Sequence, residues 1–351
     1  MNKHLNYLTV DWLAFTYKPT VSDLESDDSN LLVHFIRKFP ELQDIILDSV
    51  TVRSRFGYNK TLQFNDDFLI LYNDFSEDLK NDKRNPYSMG VNFQVPSHSL
   101  ELFCDCFGIE FESNNALFQI MELLHDRGCQ LSRIDLCFDD YGKKFNAKYY
   151  IDKWVRGLFR SHFQTATMFL NQNQDGNTFY LGSLKKRSKL LRIYDKFVES
   201  GGIYDCVRYE FEYHAENARD VMAYILGGGT IEFFPYLRSW FEVIKESNNT
   251  TNKSDIPLDN EWEEYFSESV FCEKIIIPRY DNEYRSKEVT SFIENQVLPS
   301  LKGYIQLFGW DYLRSELEKS DINKKYLGLI NSIEYKNSVG WCAADDSVPF
   351  N

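Results

Sequence analysis

Residues 178–196, TFYLGSLKKRSKLLRIYDK, constrain the fold more than any other stretch. Two short apolar runs flank a polar connection, the pattern of a β-hairpin. TFYLGS is one strand, KKRSK the connection and LLRIYD the return. Period-two alternation on the return strand sets Arg192, Tyr194 and Lys196 on one face and Leu191, Ile193 and Asp195 on the other. A phenol ionises near pH 10 in water, and nearby cations favour the phenolate. The same cations can hold a phosphodiester against it, so Tyr194 is a candidate nucleophile toward a nucleic-acid backbone. The local pattern alone fits an ordinary half-buried strand tyrosine better, in a chain with 22 of them.

Two further strands carry acids at alternate positions. In SRIDLCFDD, residues 132–140, Arg133, Asp135, Cys137 and Asp139 share a face. In VRYEFEY, residues 207–213, Arg208, Glu210 and Glu212 share one, with Tyr209, Phe211 and Tyr213 on the other. Either strand alone reads as a sheet with one solvated face. Converging from neighbouring strands, Asp135 and Glu210, with Asp139 or Glu212 as a supplementary ligand or base, would form a hard-oxygen site for Mg²⁺ or Mn²⁺. Such a cation would polarise a scissile phosphate beside the tyrosine.

The rest of the chain offers no rival chemistry. The six histidines include no HxH pair and no HExxH; His214 follows the second acidic strand and is either a further ligand, a proton carrier or a surface residue. The seven cysteines contain no CxxC pair, which points to reduced thiols and a cytoplasmic protein. There is no Walker A sequence, and the glycines after Leu226 follow a helical pattern, so they end a helix. No signal peptide or membrane span is expected. The net charge of −14 argues against an indiscriminate polyanion binder. Cations are instead concentrated at Lys185, Lys186, Arg187, Lys189, Arg192 and Lys196, against the single acid Asp195. Together with Arg208 these are the candidate DNA contacts, although KKRSK also reads as a solvated hairpin tip.

Periodicity predicts strands over 8–17, within 50–72, and over 89–95, 132–140 and 207–213. It predicts helices over SNLLVHFIRKF, over 115–127 with Ser113 or Asn114 as N-cap and Gly128 as the stop, over 147–159, and over 217–226. Residues 231–245 read as helical around Pro235. The fold class is α+β: antiparallel sheets with helices on one face, in two halves of related plan. A first domain is expected over 1–246, a linker over 247–255, and a mainly helical second segment over 256–351 with a loose tail after 337. That segment contains a possible edge strand at CEKIIIPR and a helical stretch over 287–320.

With SRIDLCFDD, TFYLGS followed by LRIYDK, and RYEFE followed by HAENA, the chain resembles Rep_trans-type replication initiators of rolling-circle plasmids and the related relaxases of integrative elements and some phages. The opening VDWLAFTY adds to the resemblance, which runs over residues 5–240 and strengthens from 130 onward. It implies a relative of the HUH endonucleases in which acids replace the paired histidines. It implies that Tyr194 attacks one phosphodiester of a hairpin origin, stays joined to the 5′ phosphate and frees a 3′-OH, with Asp135 and Glu210 holding the metal. Two alternatives stand beside it: a metal-dependent nuclease that hydrolyses with water, and a catalytically silent origin-binding protein. The expected partner is origin DNA. Residues 256–351, which match no motif, are assigned duplex binding, dimerisation or contact with a host helicase.

Overall fold

The computed structural model describes residues 8–18, 31–65, 67–73, 89–170, 176–247, 252–265 and 275–277, with the single positions 302, 305 and 310. The chain divides into two compact units, Met1–Ile276 and Ile277–Asn351. The loop expected over 75–86, the edge strand at CEKIIIPR, the helical stretch 287–320 and the tail after 337 lie wholly or almost wholly outside the described residues.

The first unit is built on one antiparallel sheet of ten strands in the order β2-β3-β4-β5-β1-β6-β11-β10-β9-β8. These strands are β1 (Thr9–Tyr17), β2 (Val50–Val52), β3 (Lys60–Phe64), β4 (Phe68–Tyr72), β5 (Val91–Pro96), β6 (Cys129–Asp140), β8 (Ala166–Phe169), β9 (Thr178–Leu181), β10 (Lys189–Asp195) and β11 (Val207–His214). A second, two-stranded sheet pairs β7 (Phe159–Ser161) with β12 (Phe241–Val243). The helices are α1 (Leu31–Lys38), α2 (Gln43–Leu47), α3 (Ser97–Cys106), α4 (Ala116–Asp126), α5 (Ala147–Val155), α6 (Lys196–Glu199), α7 (Glu216–Leu226), α8 (Phe233–Trp240) and α9 (Asn260–Tyr265).

The related halves expected from element order are visible in the sheet. β1 lies beside β5, which is followed outward by β4, β3 and β2; β6 lies beside β11, followed by β10, β9 and β8. In each half a long strand leads into a helix and a meander of short strands returns to it, with a further helix after the returning strand. β1 and β6 pair antiparallel and join the halves.

Both cores lie on the same side of the sheet. In the first half Phe15, Phe35, Phe39, Phe93 and Phe103 are fully buried, with Phe35 stacked on Phe93 at 4.4 Å and on Phe39 at 4.5 Å. In the second half Phe138 stacks on Phe233 at 3.8 Å, and Phe211 packs 5.3 Å from Trp240. The buried Tyr150 and Tyr209 hydroxyls lie 2.9 Å apart, and Tyr209 donates to the Phe145 carbonyl. Each phenol therefore meets a partner inside an otherwise apolar layer. Because alternate residues of a strand point to opposite faces, the acids of β6 and β11 fall on the face away from these helices.

Several element boundaries differ from those the periodicity predicts. The N-cap of α4 is Asn115 and makes no side-chain capping bond; Gly128, at φ +69°, ends that helix as expected. α5 stops at Val155 because Gly157 turns the chain at φ +74° into β7. Over 231–245 the helix spans only Phe233–Trp240; Phe241 is extended, and Phe241–Val243 pairs with β7. Aromatic and β-branched residues favour that pairing over another helical turn.

The segment expected to begin a separate domain at 256 is integral to the first unit. Lys245 donates to the Pro257 carbonyl and Asp259 to the Val243 carbonyl. Lys153 reaches Asp259 at 2.7 Å, Tyr265 donates to Asp140 at 2.7 Å, and Trp262 is fully buried. Arg160 ties the same segment down through the carbonyls of Lys253, Ser254 and Ile256. Trp262→Ala is accordingly expected to destabilise the protein by about 3–5 kcal/mol, read as a lower denaturant midpoint with an unchanged slope. A change near zero would mean that the segment merely rests on the surface.

Candidate active site

The face of the sheet opposite the helices holds the polar residues of β6, β11 and β10 in register. Asp135 pairs with Glu212, Cys137 with Glu210 and Asp139 with Arg208 across the β6–β11 ladder. Across β10–β11, Arg192 pairs with Glu210 and Tyr194 with Arg208. Directly opposed residues in an antiparallel pair share a face, so Tyr194 is a diagonal neighbour of Glu210, on the order of 7–8 Å away between backbones.

Asp135, Glu210 and Glu212 offer carboxylate oxygens that all lie within 4.8 Å of one another. Asp135 is 1% exposed and Glu210 5%. Arg133 clasps Asp135 with Nε at 3.0 Å and a second bond from Nη2, and reaches Glu212 at 3.4 Å. Its guanidinium lies 4.6 Å over the Trp12 ring. Arg192 donates to Glu210 at 3.4 Å. His214 Nε2 lies 2.5 Å from Glu212 Oε1, which makes it a partner that orients a carboxylate.

The charges are only partly compensated. Burial pushes the Asp135 carboxyl well above the usual carboxylate range, against the opposing pull of Arg133, and the neighbouring Glu210 and Glu212 add to the rise. Burial, then the charge of Asp11, raises Glu210 as well, although Arg192 opposes it. Glu212 is also pushed up by burial, but the His214 hydrogen bond and Arg133 bring it below its ordinary value. An oxygen-only cluster with two reluctant carboxylates suits a hard divalent cation, which would supply the missing positive charge.

Tyr194 is 3% exposed, with the Arg192 guanidinium 3.9 Å above its ring and the Lys196 ammonium 5.8 Å from it. The flanking cations were expected to favour the phenolate. Burial and the charge of Glu210 outweigh Arg192 and Arg208, and the phenol is held above its ordinary value of 10.0. Cations placed over the ring face bind the ring more than they stabilise charge on its oxygen.

Other residues singled out by sequence take different places. Asp139 lies apart from the three-carboxylate cluster: Arg208 binds it through Nε at 2.6 Å and Nη2 at 2.7 Å and binds Asp11 through Nη1. Arg208 is thereby committed to two acids instead of standing free for phosphate. Lys189 projects to the opposite face, where its ammonium lies 4.4 Å over the Trp240 ring. Lys196 pairs with Glu199 at 2.7 Å. Lys185, Lys186 and Arg187 stand exposed in the β9–β10 connection. Asp11 had no signal in the sequence, because it sits at a register shift between Val10 and Trp12 in β1. A bulge there re-aims a side chain that alternation would send elsewhere.

Among the described residues, no helix is long and apolar enough to cross a membrane. The family model for the replication initiation factor matches residues 129–319, which include all of β6, β10 and β11. A search of solved structures finds a rolling circle replication initiator protein from Geobacillus stearothermophilus at TM-score 0.53 and 19% identity, covering 77% of this chain and 98% of that one. At that identity the likeness concerns the fold. No curated protein matches the chain.

Proposed function

This chain belongs to the replication initiation factor family, Rep_trans, and on that premise we propose that it is a rolling-circle initiator or relaxase that nicks and transfers one strand of origin DNA through Tyr194. The observation that carries the reading is the one sheet face on which Tyr194 neighbours the cluster of Asp135, Glu210 and Glu212. Asp135, Glu210 and Glu212 would hold Mg²⁺ or Mn²⁺, whose charge would polarise the phosphate and favour the phenolate.

In this mechanism the Tyr194 oxygen forms a bond to phosphorus as the bond from phosphorus to the 3′ oxygen breaks. The displaced electron pair goes to the 3′ oxygen, which takes a proton and becomes a 3′-OH. The phenol proton leaves to solvent as the bond to phosphorus forms. Arg192 fixes the ring from above while contacting Glu210, and Arg133 and His214 hold Asp135 and Glu212 in place. The phosphotyrosine conserves the energy of the broken bond, so rejoining needs no nucleotide hydrolysis. The exposed Lys185, Lys186 and Arg187 are proposed to track the DNA backbone, giving salt-dependent affinity.

One observation favours a second reading. The Tyr194 ring is nearly inaccessible and its hydroxyl is held protonated, as suits a structural tyrosine beside a hydrolytic metal site. Incubation with supercoiled plasmid carrying candidate origins and Mn²⁺, followed by mapping of the nick and of any attached peptide, tests the proposal. A peptide containing Tyr194 on a 5′ end supports transfer, and nicks with free ends support hydrolysis.

A further inference from the structure

The face that carries Tyr194 continues past it toward the sheet edge and becomes exposed there. Across β9–β10, Thr178 faces Tyr194 and Tyr180 faces Arg192. Across β8–β9, Phe169 faces Thr178 and Thr167 faces Tyr180. The side chains of Phe169, Tyr180, Arg192 and Tyr194 therefore follow one another on a single face. Their contacts bear this out: the Phe169 and Tyr180 rings meet edge to face at 5.7 Å, and the Arg192 guanidinium lies 5.9 Å from the Tyr180 ring and 3.9 Å from the Tyr194 ring.

Phe169 is 54% exposed on the edge strand, on the face that elsewhere carries ionised groups. The helix-side aromatics, such as Phe179 on β9, are by contrast fully buried. An exposed phenylalanine beside a partly exposed tyrosine, next to a cation and a candidate nucleophile, contributes nothing to the core. Flat neutral rings interleaved with a guanidinium match the unpaired nucleobase, which presents a π-face whatever its identity. A paired duplex conceals those faces, and two rings are too small an area for a stable protein interface.

We propose that Phe169 and Tyr180 form a stacking platform for unpaired nucleotides next to the scissile phosphate, with Arg192 joining that platform to Tyr194. The proposal rests on the DNA-nicking reading of the same face and extends it to the residues that hold the unpaired strand where it crosses β8 and β9. Phe169 and Tyr180 are positioning residues, acting through the register of the strand.

The test uses the full chain without metal, so that no cleavage intervenes. Binding of a short fluorescein-labelled oligothymidylate is compared by anisotropy with that of an abasic oligonucleotide of equal length, over a range of salt. The intact protein is expected to prefer the oligothymidylate by about ten-fold or more, and Phe169→Ala and Tyr180→Leu each to remove most of that preference. The dependence on salt is expected to stay the same, since the phosphate contacts remain. Thermal unfolding of each variant verifies the fold, and Tyr180→Leu keeps the side-chain bulk. Equal affinity of the intact protein for both probes, or a preference that survives both substitutions, overturns the platform and leaves the nicking reading standing. Absence of binding to either probe also overturns the platform, whereas the nicking reading falls only if neither nick nor adduct forms on origin DNA.

Discussion

Tyr194→Phe is expected to abolish the covalent protein–DNA adduct and to reduce strand transfer by roughly 10⁴-fold or more, the scale on which loss of an attacking group is felt. The substitution removes one oxygen and leaves the ring, so Arg192 keeps its seat over the aromatic face. Unfolding temperature should change little, which separates lost chemistry from lost structure. Denaturing gels of protein with labelled origin DNA and Mn²⁺ supply the measurement. Cleavage that continues at the intact rate without an adduct would transfer the nucleophile's role to water. That outcome would agree with a phenol held protonated by burial.

Glu210→Gln is expected to eliminate metal-dependent cleavage while making the metal-free protein at least as stable as the unaltered one. Burial and the charge of Asp11 raise the folded carboxyl of Glu210 above its ordinary value of 4.5. A raised carboxyl costs the folded state nothing below the ordinary value, where both states are protonated. The cost grows as the pH climbs from there and is complete above the folded value. An amide carries no such cost, so the melting temperature of the variant should exceed that of the intact protein at neutral pH. The difference should shrink as the pH falls toward 4.5. Addition of Mn²⁺ should raise the melting temperature of the intact protein and leave the variant nearly unmoved. A variant that melts lower at neutral pH and still responds to Mn²⁺ would remove Glu210 from the cation site.

The strands that build this face were legible because alternation is a local property: VRYEFEY and SRIDLCFDD announce which side chains travel together. Their lateral order was not legible: adjacency of the acidic strands was a supposition, and the order β6-β11-β10-β9 comes from the structure. What alternation could not convey is the third dimension of charge. The tyrosine between Arg192 and Lys196 was expected to ionise easily, yet the sheet buries it against Glu210. Lys189 looked like one more phosphate contact in a basic run, but its position in β10 sends it to Trp240. Asp139 reads in the sequence as a supplementary ligand or base, but it lies directly opposite Arg208 across the β6–β11 ladder, and that pairing takes it out of the cluster. β8 and α3 escaped notice because neither has an apolar period that stands out from its surroundings. Trp262, whose indole completes the core, is separated from that core by a polar stretch that reads as a linker.

The pairing of Arg208 with Asp139 on β6 and Asp11 on β1 straddles the line where the two halves of the sheet meet. The half that carries Tyr194 thus borrows a counter-ion from its sibling, and neither fragment possesses the whole constellation. Severing the chain between α3 and α4 should yield two pieces that are inert apart and recover nicking when mixed. Phosphodiester exchange would then serve as a gauge of how well one half recognises the other.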